Sequence, residues 1–135
     1  MNRRQRKKYA KQKGTYVSKS ELWNLDYTIT KWIIPRLKAF KKSTVRSYPA
    51  IDRKLYSETG EIKSITFEDW QNILEEIIIA FEQVDTDPMD IAIKERIVFK
   101  NKLDNKNYEN ICKQRQEKIE RGLDLFKYYI QDLWW

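Results

Sequence analysis

ELWNLDYTITKWIIPRLKAF, residues 21–40, is the stretch whose reading decides the fold. Leu22, Leu25, Ile29, Ile33, Leu37 and Phe40 recur at spacings of three and four, which lines one face of an α-helix with apolar side chains. Ser18 and Glu21 have the spacing of a capping box, so the helix is expected to begin at Ser18 and run to about Lys42. Pro35 removes a backbone donor without disturbing the apolar phase, which predicts one kinked helix rather than two. Two charged residues, Asp26 and Arg36, fall on the same apolar face.

Working outward, Thr66 with Glu68 and Asp69 opens a second helix. Its stripe is Trp70, Ile73, Leu74, Ile77, Phe81 and Val84, with Ile78 widening it and Ile79 opposite. Asp87-Pro88 is a cap and first turn for another helix. From Met89 to Asn107 the pattern weakens: Ile93 and Ile97 share a face, Val98, Phe99 and Leu103 spread around the axis, and NKLDNKN (101–107) reads as frayed or a turn. A last helix runs from about Tyr108 to the C-terminus, striped by Tyr108, Ile111, Cys112, Ile119, Leu123, Phe126, Ile130 and Leu133. Gly122 in its middle costs roughly 1 kcal/mol of helix propensity, which predicts close approach of a neighbouring helix. Between the first two helices, residues 43–65 break the period; Lys54–Ile65 reads as a small hairpin turning at Glu58-Thr59-Gly60. The fold class is therefore mostly α: a single small domain of three to four antiparallel helices, with a short hairpin or irregular excursion between the first two.

Of 27 basic residues, seven (Arg3, Arg4, Arg6, Lys7, Lys8, Lys11 and Lys13) crowd the first thirteen positions, leaving 20 basic against 20 acidic from Gly14 onward. Residues 1–17 have almost nothing apolar to bury and read as a flexible basic arm ahead of a helical domain at 18–135. Such an arm is either a solubilising tail or a sequence-independent contact to nucleic-acid phosphates, with Tyr9 and Tyr16 available for stacking. No apolar run approaches the roughly 20 residues needed to span a bilayer, and no apolar signal-peptide core follows the basic start. The single cysteine, Cys112, suits a reducing cytoplasm and lies on an apolar stripe.

With no histidine, no CxxC pair, no Gly-rich phosphate loop and no GxSxG elbow, the expectation is a protein without catalytic residues, metal or cofactor. Candidate site residues come instead from charge inside apolar stripes: Asp26 and Arg36 on the first helix, Arg115 on the last. Asp26 and Arg36 are ten residues apart, about 15 Å along a helix, too far to pair. Two readings stand. Arg115 pairs with Asp26 to fix helix register, or Arg36 and Arg115 form a basic notch for an anion such as a nucleotide phosphate or a partner carboxylate. In the second, Tyr27, Trp32 and Trp23 are near enough to stack on a base. Trp134 is expected to close the end of the core, while Trp135 is either core or partner contact.

These residues together resemble a family of small helical proteins of tailed bacteriophages. The pattern is W-x-L-D-x-x-I from Trp23, P-R-L-x-x-F from Pro35, Tyr48-Pro49, W-x-x-I-L from Trp70, I-x-x-F from Ile78, and G-L-x-L-F-x-x-Y from Gly122. The likeness covers roughly residues 21–135, while the arm, Ile51–Ile65 and the length between Phe81 and Gly122 fall outside it. Because that family has no assigned activity, the resemblance implies a phage origin and no catalytic residues. The expected function is a non-enzymatic accessory protein acting in the host cytoplasm on a host protein or nucleotide ligand, as in host takeover or anti-defence. The alternatives are a nucleic-acid-associated protein using the arm, and a minor virion or assembly component. In the last, Ile79 and Trp135 would serve a homo-oligomer.

Overall fold

Side chains decide where five of the helices begin. The computed structural model describes residues 1–44, 47–97, 99 and 102–134. Asn2 and Gln5 cap each other's backbone N–H groups at 2.9 and 3.0 Å and open α1 (Arg3–Gln12). Ser18 and Glu21 form the expected box at the start of α2 (Lys19–Trp23), which stops at Asn24; α3 (Leu25–Ser43) follows at once. Asp52 caps α4 (Arg53–Thr59), and Thr66 with Asp69 caps α5 (Phe67–Val84). Asp87 caps α6 (Pro88–Lys94), with Pro88 in the first turn. α7 (Lys102–Tyr129) tightens into a 3-10 turn, Ile130–Asp132.

The mostly α expectation holds, but the count and arrangement differ: seven α-helices lie among the described residues. The expected single helix from Ser18 to Lys42 is two, because Asn24 leaves helical geometry at φ −126°, ψ 65°. Asparagine is a poor interior residue, since its amide competes for nearby backbone groups. The Thr28 hydroxyl donates to Glu21 O at 3.2 Å, which helps to fold α2 back beside α3. The arm is also helical in α1, although no residue of that helix is buried.

The expected hairpin at Lys54–Ile65 does not form. Asp52 supplies a helix start and Gly60, in the left-handed region at φ 72°, supplies the stop, so the segment between them coils. The chain does turn back there, but only through the Asp52 N–H to Lys63 O bond (2.8 Å) and one bridge, Ile51 to Ser64. The NKLDNKN stretch belongs to α7 from Lys102 onward rather than fraying; Asn101 lies outside the described residues. α6 ends sooner than the weak pattern allowed, and Arg96 and Phe99 turn the chain with positive φ. Val98 lies outside the described residues.

α5 is the central helix. Trp70, Leu74, Ile77, Ile78, Ala80 and Phe81 are buried between α3 on one flank and α7 on the other. Each fully buried large side chain contributes about 1.5–3 kcal/mol of transfer free energy. α3 runs antiparallel to α5: Thr44 sits at Trp70, Lys41 pairs with Glu75 at 2.6 Å and Lys38 with Glu82 at 2.8 Å. α7 is antiparallel too, with Tyr129 on the Trp70 ring at a centroid distance of 5.6 Å and Arg115 at the far end of α5. Between them lies Gly122, where any Cβ would collide with Ala80 Cβ and Glu76 O. The close approach expected of that glycine is therefore present. The buried line of α7 is Ile111, Ile119, Gly122, Leu125 and Tyr129, so the expected stripe slips phase near the end: Leu123 and Ile130 are exposed, while Leu125 and Tyr129 are core. Trp134 is 67% exposed, a correction to its expected place in the core.

Candidate functional site

Arg115 is occupied by the fold. Its Nε donates to Gln83 O at 2.9 Å and Thr86 O at 3.0 Å, and its Nη2 to Val84 O at 3.3 Å. These carbonyls belong to the last turn of α5 and the residues just after it, which lack helical partners, so a side chain from α7 caps α5. Asp26 is exposed and has no ion-pair partner among the described residues. Neither expected arrangement forms: Arg115 does not pair with Asp26, and it does not join Arg36 in a notch. Trp135 lies outside the described residues.

Arg36, Trp32 and Tyr27 do come together. The Arg36 guanidinium lies 4.4 Å from the Trp32 ring centroid and donates through Nη1 to Trp32 O at 2.7 Å, in the turn where Pro35 lacks a donor. One step round the helix, Lys31 Nζ lies 5.7 Å from the Tyr27 ring. Because α2 folds back at Asn24, Ser20 and Glu21 form the opposite wall of a cleft of about 560 Å³ floored by Tyr27, Thr28, Lys31, Trp32 and Arg36. Trp32 is 58% exposed and Tyr27 49%. Glu21 is the one acid in this lining, and its carboxylate accepts from the Ser18 N–H at 2.7 Å, which holds its pKa below the ordinary carboxylate value.

The basic arm makes a second cleft. Gly14, at φ 71°, turns the chain after α1, and Lys7 and Lys11 both sit 5.1 Å from the Tyr16 ring centroid. Arg3, Arg4, Lys7, Tyr16, Val17 and Lys19 line about 540 Å³ there. Lys13 stands 5.7 Å from the Tyr9 ring, and Arg6 and Lys8 are exposed on α1. The first cleft is lined by Ser20 and the second by Lys19, adjacent residues, so both lie at the start of α2.

The charge is more polarised than a basic arm on a neutral body. Residues 1–42 hold 13 basic and 2 acidic residues, a net +11, leaving 14 basic against 18 acidic beyond them. Reading the arm alone missed Lys31 and the folded-back wall of α2. One sequence signal points to Lys31, though not to the α2 wall: Tyr27/Lys31 and Trp32/Arg36 are two interleaved aromatic–cation pairs at i,i+4, the spacing that brings side chains together on a helix. Elsewhere, no group of three or more His, Cys, Asp or Glu is placed to hold a metal, and no helix is long and apolar enough to cross a membrane, among the described residues.

Compared with known proteins, the chain matches no family model, no curated protein and no solved structure.

Proposed function

We propose that this is a non-enzymatic binding protein, of the phage accessory type that its sequence resembles, which holds an anionic partner on the face formed by α1, α2 and the first half of α3. One observation carries the reading: the half-exposed rings of Tyr27 and Trp32, and the ring of Tyr16, each have a cation beside them, on a segment (residues 1–36) with 10 basic and 2 acidic residues. An exposed indole or phenol gains nothing for folding, and a cation held over it is placed to meet phosphate or carboxylate while the ring stacks. The nucleotide ligand expected from sequence and the nucleic-acid alternative both fall within this chemistry, with the host cytoplasm as the proposed site of action.

A test separates this face from simple basicity. On a phosphocellulose matrix, the chain without residues 1–13 is expected to stay bound, and Lys31→Glu with Arg36→Glu to release it at much lower salt. If the arm deletion alone removes all retention and the double substitution does nothing, the α2–α3 face is not the site.

A second reading, a host protein as partner, is favoured by one specific feature. Leu22, Trp23, Leu25 and Ile29 are all about half exposed or more on the same segment, an apolar patch of the kind that marks protein interfaces.

A further inference from the structure

Resting on the anionic-partner reading, we infer that the two clefts form one continuous track for single-stranded nucleic acid, bound without regard to sequence. Two observations favour a strand over other anions. Lys19 of the second cleft directly precedes Ser20 of the first, which puts both clefts at the same end of α2, within reach of one extended polymer. Each holds an aromatic ring under a cation: Trp32 with Arg36 and Tyr27 with Lys31 in the first, and Tyr16 with Lys7 in the second. Stacking platforms alternating with cations are how proteins hold single strands, because every base offers a π-face and every nucleotide a phosphate.

The same geometry disfavours the nearest rivals. A duplex presents phosphates but hides its base faces, so its binding would leave Trp32 and Tyr27 without partners. A lone nucleotide is normally enclosed on most of its surface, whereas the rings of the first cleft stay about half exposed. A strand spreads its contacts over several shallow places and tolerates that openness. Glu21 lines the first cleft, but its carboxylate is bound to the Ser18 N–H and hydroxyl, at 2.7 and 2.9 Å. No hydrogen-bonding pocket for a base edge is required, which is why sequence preference is expected to be weak.

The test is fluorescence anisotropy of the full-length chain with a labelled oligo-dT of about 12 nucleotides and a duplex of the same length, across a salt series. The single strand is expected to bind at least about tenfold tighter at 0.2 M salt, where phosphate contacts alone fade. Trp32→Ala should weaken the strand by about 5- to 100-fold, Trp32→Phe by much less, and neither should move duplex binding. Trp134→Ala is the control: Trp134 is 67% exposed, far along the chain from this face, and lines neither cleft, so it should bind as the wild type does. Circular dichroism of each variant guards against unfolding. Equal affinity for duplex and strand, no binding of the strand, or no effect of Trp32→Ala each overturns the track. If that happens while Lys31→Glu with Arg36→Glu still releases the chain from phosphocellulose at much lower salt, the anionic-partner reading survives alone. If the double substitution also does nothing, both fall.

Discussion

The two halves of α3 carry the same apolar rhythm and meet opposite fates. In the second half, Ile33, Ile34, Leu37 and Phe40 pack against the core, with Leu37 only 4% exposed. In the first, Leu25 and Ile29 stay exposed beside Tyr27 and Trp32, and Thr30 is the one buried residue. The reason is length. Lys38 already lies level with Glu82, two residues from the end of α5, so the first turns of α3 run past the helix that covers the rest. Periodicity shows which face of a helix has apolar side chains to cover; it does not show that the same chain covers them.

That contrast can be broken by substitution, and the largest effects belong in the covered region. Trp70→Ala should cost about 3–5 kcal/mol, because a fully buried indole packs on Tyr129 and donates to Thr44 Oγ1 at 3.4 Å. Urea unfolding followed by far-UV circular dichroism checks it. Leu37→Ala and Leu25→Ala form the matched pair: about 2–5 kcal/mol for the first and within about 0.5 kcal/mol for the second. Similar losses at the two positions would mean that the first half of α3 is covered in solution.

Smaller effects sharpen the account. Gly122→Ala should lower stability by about 1–3 kcal/mol despite better helix propensity, since the new methyl meets Ala80 and the Glu76 carbonyl; a gain in melting temperature would contradict the tight crossing. Arg115→Ala should cost about 1–3 kcal/mol by leaving the terminal carbonyls of α5 unpaired, and should leave oligonucleotide binding unchanged. Loss of binding with stability intact would return Arg115 to the site. The smallest effect is in acid. The Lys54 ammonium hydrogen bond holds Asp124 below its ordinary pKa, so its contribution is complete above about pH 4 and is lost as pH falls through the lower folded value. Asp124→Asn should therefore flatten the low-pH end of the stability profile slightly, the pair being partly exposed.

Much of the fold was legible because local chemistry marked it. Thr66 and Asp69 start α5 where the stripe begins, Ser18 and Glu21 make their box, and Gly122 announces a crossing that only a missing Cβ allows. What was not legible depended on partners far along the chain. Nothing local to Arg115 tells that its guanidinium will meet the carbonyls of Gln83, Val84 and Thr86. The stop at Asn24 and the helix in place of a hairpin were present as single residues, Asn24, Asp52 and Gly60, outweighed in the reading by longer patterns. Of the site, Arg36, Trp32 and Tyr27 were legible by type and Lys31 by its i,i+4 spacing from Tyr27, while the α2 wall required the fold-back at Asn24.

The most direct measurement pairs stability with binding in one variant, Trp32→Ala with Arg36→Ala. If the exposed face of α3 that carries Trp32 and Arg36 exists for a partner rather than for the fold, the variant's urea midpoint stays at the wild-type value while its affinity for single-stranded oligo-dT falls at least about tenfold. A lowered midpoint with unchanged affinity would contradict the account, because these side chains would then serve the fold and not the face.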